Sequence, residues 1–154
     1  MITVEVNAQA PTAAFQKLLR ETDFTTANRQ ASITLYGWVI RNFDSQGSLI
    51  GGWAPLAEST RKYKAKIGKQ QMLVRTGALR ASFTPFFDAQ QAGVGAAVAR
   101  FKDGSGDYAR YIQEGTSRMP ARKMLPTKDI AVQITTNVYG RFIKGAIDSA
   151  GLSQ

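Results

Sequence analysis

Residues 127–150 read TKDIAVQITTNVYGRFIKGAIDSA, and two periods compete within them. Ile130, Ile134, Val138 and Phe142 recur every fourth residue, with Ala131, Ile143 and Ile147 widening the stripe. Val132, Ile134, Thr136 and Val138 also alternate by two, and the QITTNV run is rich in the β-branched residues that suit strands. The stripe of fours persists to Ile147, well beyond the length of an ordinary strand. The spacing therefore predicts a closing helix from Thr127 to Ala150.

Immediately before it, residues 108–126 read YARYIQEGTSRMPARKMLP. Tyr108 to Glu114 fits a short helix stopped by Gly115, the favoured residue just past a helix end. Pro120 and Pro126 push the residues before them out of the helical region, so the chain beyond Gly115 is extended. Upstream, residues 82–101 read as a hairpin. Phe83, Phe86 and Phe87 precede a turn at 88–91, and Val94, Ala96 and Val98 alternate after it. KDGSGD (102–107) reads as a flexible turn. Thr76 is placed to cap a turn of helix through Leu79 and Phe83.

Farther upstream, residues 44–60 (DSQGSLIGGWAPLAEST) hold three glycines and a proline and read as a loop, with 44–57 as a flexible segment. Pro55 or Ser59 then opens a short basic helix. A longer helix ends at Phe43, with Asp23, Thr25 or Thr26 as its cap. Its apolar stripe is Ile33, Tyr36, Ile40 and Phe43, widened by Leu35 and Val39. Gly37 inside it costs about 1 kcal/mol against Ala and marks a place for a close neighbour. At the start, Ile2, Val4 and Val6 suggest a short strand, and Ala14, Phe15, Leu18 and Leu19 a short helix opened by Pro11. The expected fold is α+β in one domain spanning 1–154. N-terminal helices and a C-terminal helix pack on a small, mostly antiparallel sheet.

Composition narrows the function. No cysteine means no disulfide framework and no thiolate chemistry, and no histidine removes the commonest general base and transition-metal ligand together. No apolar run is long enough to span a membrane, and the start lacks the pattern of a secretory signal. These features favour an intracellular or particle-borne protein. The net charge is +9. Its excess is local: residues 58–80 carry seven basic side chains against Glu58, and residues 100–128 carry seven against three acidic ones. Such a face draws DNA, anionic surfaces or an acidic partner. Ser59 and Lys62 stand at a helical spacing, but a run of charge around them fits solvent-exposed lysines. GVGAAV lacks the third glycine of a dinucleotide fingerprint, and GTSR and RTG lack the Gly-Lys ending of a phosphate loop. No catalytic, cofactor or metal residues are therefore expected.

Several short elements occur in a set order: WAPL at 53–56, Thr60, MLVRTGALRAS at 72–82, VG at 94–95, YA at 108–109, QEGT at 113–116 and MPARKML at 119–125. This order resembles the phage virion morphogenesis family, the tail-completion and neck proteins of tailed bacteriophages and prophages. The resemblance covers about residues 40–126. Ile112 stands where members often carry a histidine.

The resemblance implies a non-enzymatic virion component without cofactors, assembled in the bacterial host cytoplasm. It would act in tail completion or head–tail joining, as a ring or neck component around the DNA channel. Its partners would be tail terminator, connector or tail tube proteins and further copies of itself; DNA contact would be non-specific, and no membrane is involved. Trp53 and Pro55, with Leu56, would anchor the glycine-rich loop, Trp53 largely buried. Thr76, Gly77 and Leu79 would form a capped turn into the hairpin. Tyr108 and Gln113 would belong to the short helix that Gly115 ends, and MPAR (119–122) would run back extended along the sheet. Arg122 would fork onto a carboxylate or backbone carbonyls. Arg61, Lys62, Lys64, Lys66, Arg118 and Lys123 are the candidate partner contacts, and a stiff hinge at 108–126 would lie beside the assembly interface. The alternative is a basic nucleic-acid-binding protein.

Overall fold

The computed structural model describes residues 13, 16, 17, 20, 22–96 and 108–149. Ala13, Gln16, Lys17 and Arg20 are helical and exposed. The expected strand at 2–6, the stripe at 14, 15, 18 and 19, Val98 and the turn at 102–107 lie outside these residues. The longer elements are α1 (Thr25–Asp44), α2 (Glu58–Lys66), α3 (Ala78–Ala81), β1 (Phe83–Phe87), β2 (Ala92–Ala96), α4 (Tyr108–Glu114) and α5 (Lys128–Ser149), with a 3-10 turn at Ser48–Ile50. The architecture is α+β, with helices at both ends of the chain around one antiparallel hairpin.

α1 is the spine of the core. None of its three capping candidates holds the N-cap, which is Phe24 without a side-chain cap; Asp23, one residue earlier, accepts the Thr25 N–H on its Oδ1 at 2.8 Å. The buried face consists of Ala27, Ala31, Leu35, Trp38, Val39 and Phe43, interleaved with Asn28, Ser32 and Asn42. This corrects the expected stripe. Ile33 is 44% exposed and Tyr36 and Ile40 are half-buried, whereas Leu35 and Val39 lie at the centre. Hydropathy misplaces the face because three of its core positions are polar. They are tolerated because each finds a hydrogen-bond partner. Asn28 Nδ2 donates to the Asp88 carbonyl at 2.7 Å and its Oδ1 accepts from the Tyr139 hydroxyl, so one amide ties α1 to the hairpin turn and to α5. Ser32 Oγ donates to the Arg29 carbonyl at 2.8 Å.

The hairpin pairs Phe83 with Ala96 and Phe87 with Ala92, and Asp88 closes the turn by accepting the Gln90 and Gln91 N–H groups. Phe83 stacks edge-on against Phe43 of α1, with ring centroids 5.7 Å apart. On the other side Phe86 lies across Gly93, where any Cβ would collide with the ring.

The contested closing segment is helical. Ile130 and Ile134 pack against the core, and Tyr139 and Phe142 close on Phe24. Val132 is 52% exposed and Thr136 is exposed, so the alternation by two has no buried face to serve. α5 runs back along α1, half-burying its stripe rather than sealing it.

Two other expectations are corrected. Gly37 has no close neighbour: a Cβ built there meets nothing within 4 Å. Gly37→Ala should therefore stabilise the protein by about 0.5–1 kcal/mol, read as a raised denaturation midpoint; a lowered midpoint would show that α1 needs the glycine. MPAR (119–122) adds no strand to the sheet, in which β1 pairs only with β2 among the described residues. Instead it folds back on α4. Gly115, at φ +79°, brings Ala121 so close that its own Cβ would lie 2.7 Å from the Ala121 nitrogen, and the Arg122 N–H donates to the Ile112 carbonyl at 2.8 Å.

Candidate partner-binding site

Three elements of the ordered set, WAPL, QEGT and MPARKML, meet at one corner. Trp53 is 7% exposed although it comes directly after two glycines, and its indole N–H donates to the Lys123 carbonyl at 2.7 Å. Asn42 Nδ2 reaches the same carbonyl at 3.0 Å and that of Met124 at 3.3 Å. Gln113 Oε1 accepts the Met124 N–H at 2.6 Å and the Leu125 N–H at 3.2 Å. Extended chain that belongs to no sheet must find partners for its peptide groups. Here side chains from α1, the loop and α4 supply them. Gly47, at φ +83°, lies against the indole so closely that any side chain there would collide with it.

Arg122 returns the contact. Its Nε donates to the Ala54 carbonyl and its Nη2 to the Pro55 carbonyl, both at 3.1 Å, with the residue 5% exposed. Of the two partners expected for it, the carbonyls are the ones used. Pro55 thus contributes its carbonyl, while its ring is exposed rather than anchoring the loop; Leu56 is half-buried. Thr76 Oγ1 accepts the Ala78 N–H at 3.3 Å, and Gly77 caps α3 at φ +83° ahead of buried Leu79. Tyr108 is half-buried on α4 and Pro120 exposed.

The outer side of this corner is a groove of about 870 Å³ between α2, the 73–75 segment and the 118–122 segment. Leu56, Leu73, Ile112, Met119 and Pro120 give it apolar walls. Lys64, Arg75, Arg118 and Arg122 give it charge, and no carboxylate lines it among the described residues. α2 opens at Glu58, not at Pro55 or Ser59. Its nine residues bury one side chain, and that is Lys64, at 7% exposure, while Tyr63 is 53% exposed. This reverses the expectation that the lysines of this run, Lys64 among them, are solvent-exposed. Thr60 and Lys64 share the side of α2 that lines the groove, with Leu56 just before the helix, and the Lys64 stem is long enough to carry its ammonium to the Val74 carbonyl at 3.1 Å. Burial pushes its pKa below the ordinary 10.5. The folded state thus disfavours the charged form. That cost is present at neutral pH and fades as pH rises from the lowered pKa towards 10.5.

Of the six candidate contacts, Lys64 and Arg118 line the groove; Arg61, Lys62, Lys66 and Lys123 are exposed elsewhere. Lys62 pairs with Glu58 at 3.0 Å, both side chains largely in solvent, which leaves no activated Ser59–Lys62 pair. Arg75 joins the groove without having been among the candidates. Its signal is its place in the basic excess of 58–80, masked where RTG is read only as a failed phosphate loop. Among the described residues, no three His, Cys, Asp or Glu side chains are placed to hold a metal ion, and no helix is long and apolar enough to cross a membrane.

No protein-family model, no curated protein and no solved structure matches this chain.

Proposed function

We propose that this chain is a structural virion protein that acts in phage tail completion or head–tail joining, as a ring or neck component around the DNA channel. The observation that carries the reading is the corner. Residues on which the family resemblance rests, Trp53, Gln113 and Arg122, spend side-chain polar groups on the backbone of one another's segments. None is left in an arrangement that performs chemistry. What the corner supports instead is a cationic groove shaped for another molecule. The partners are neighbouring neck or tail proteins and further copies of the chain, and the protein works in the virion without a cofactor.

Deleting the coding sequence should yield filled heads and separate tails in electron micrographs, restored by the gene in trans. Joined, infectious particles from the deletion would remove the reading. A finer test reverses Arg118 and Lys123, both exposed, to Glu. Folding should hold, because exposed changes of this kind move stability by no more than about 0.5 kcal/mol. Particle yield should collapse, and a normal yield would take this segment out of the interface. A nucleic-acid-binding role would declare itself differently, through an affinity for DNA that falls steeply with salt.

A further inference from the structure

Lys64 and Arg122 are two buried cations on one groove, and neither has an anionic partner among the described residues. The Val74 carbonyl is the hydrogen-bond partner of the Lys64 ammonium, which has three protons to donate. Arg122 uses Nε and Nη2 on carbonyls, and its Nη1 has no partner among the described residues. Arg75 and Arg118, exposed at the same groove, form no ion pair with a described residue. Desolvating like charges together is unfavourable, and a buried charge is ordinarily kept only with a partner. Other cations on this protein do find carboxylates: Lys62 has Glu58, Arg80 has Asp44 and Arg110 has Glu114. Cations without a carboxylate elsewhere on the described surface, such as Arg61, Lys66 and Lys123, are exposed to water; the groove is where two such cations are buried.

We propose that the groove is a dock for an extended acidic segment of a partner protein. The partner's carboxylates meet Arg75 and Arg118 at the rim and reach towards Arg122 and Lys64 beneath, while its apolar side chains lie on Leu56, Ile112 and Met119. Arginine forks take carboxylates bidentately, and such charge-assisted bonds are strong where water is excluded. A volume of about 870 Å³ falls within the usual range for binding pockets. A nucleic-acid backbone fits less well. Duplex phosphates sit on a broad convex ridge and need projecting cations, whereas two of these four are 7% and 5% exposed. Phosphates would also leave the apolar walls uncovered. The proposal deepens the reading of a chain that holds other virion proteins, and rests on it only for where the partner is found.

The test is fluorescence anisotropy on the full chain at low salt. The probes are a labelled acetyl-Glu-Leu-Glu-Glu-Leu-Asp peptide, its twin with Gln and Asn in place of the carboxylates, and a labelled duplex oligonucleotide. The acidic peptide should bind at least about tenfold more tightly than its twin, the equivalent of one charge-assisted hydrogen bond. Arg75→Ala with Arg118→Ala should weaken it by about tenfold or more, while Lys144→Ala, exposed and outside the groove, leaves it unchanged. Lys64→Met should keep or raise the melting temperature, because removing an uncompensated buried charge is not costly, and should still lose peptide affinity. The proposal fails if the twin binds equally, if neither peptide binds at millimolar protein, or if the duplex binds more tightly through the same arginines. Peptide binding as stated, together with normal head–tail joining by the Arg75→Ala/Arg118→Ala protein, would uphold the dock and overturn its use in joining.

Discussion

Truncating Trp53 to Ala should lower the stability by about 3–5 kcal/mol, the usual cost of deleting a large buried aromatic. For a chain of this size that corresponds to a fall of roughly 6–20 °C in the melting temperature. Two losses combine. The ring packs edge-on against Phe43, with centroids 5.4 Å apart, and its removal leaves a cavity at the centre of the core cluster. The indole N–H also holds the Lys123 carbonyl, which would keep only Asn42 as a donor. Trp53→Phe separates the two, because it retains most of the ring but no donor. It should cost about 1–3 kcal/mol, the penalty for an under-satisfied buried acceptor. An unchanged denaturation midpoint in Trp53→Ala would show that the glycine-rich loop carries no share of the core.

Arg122→Ala is the second large expected effect, at about 2–4 kcal/mol. Each charge-assisted hydrogen bond contributes about 1.5–3 kcal/mol, and water at the groove rim can replace part of what is lost at Ala54 and Pro55. Arg122→Lys should recover only part of it. An ammonium is a point donor and cannot span the Ala54 and Pro55 carbonyls in the manner of the guanidinium fork. Urea denaturation of the two variants checks the order, with Ala the less stable. If Lys matched the wild type, the fork would not be what clasps the loop.

The two variants act on one clasp from opposite sides: Trp53 reaches from the loop to the 122–125 segment, and Arg122 reaches back. They should therefore be non-additive, as expected of residues that share partners. The same clasp forms the inner wall of the groove, so its loss would also disturb the surface offered to a partner.

Much of this is legible in the residue pattern. Periodicity and turn chemistry give α4 with its stop at Gly115, the hairpin with its turn at 88–91, and the helical closing segment, because each of these depends on neighbours a few residues apart. The α+β class comes from those elements. Composition alone removes histidine and cysteine chemistry, and the local charge excess points to the two stretches that flank the groove.

The tertiary structure alone decides which face of a helix is inside. The buried side of α1 includes Asn28, Ser32 and Asn42, and no hydropathy scale would place them there. Asn28 is acceptable inside because Asp88 and Tyr139, 60 and 111 residues away, supply its partners. Asn42 is held inside by its Nδ2, which donates to the Lys123 and Met124 carbonyls, 81 and 82 residues away in sequence, while its Oδ1 is buried without a partner among the described residues. Lys64 is the same case with a charge: nothing in RKYKAK says which of its cations turns inward until Val74 presents a carbonyl to it. Local pattern determines which elements form, since their hydrogen bonds close within a turn or a hairpin. A polar or charged side chain is buried or exposed according to whether a partner is waiting, and that partner is brought there only by the folding of the rest of the chain.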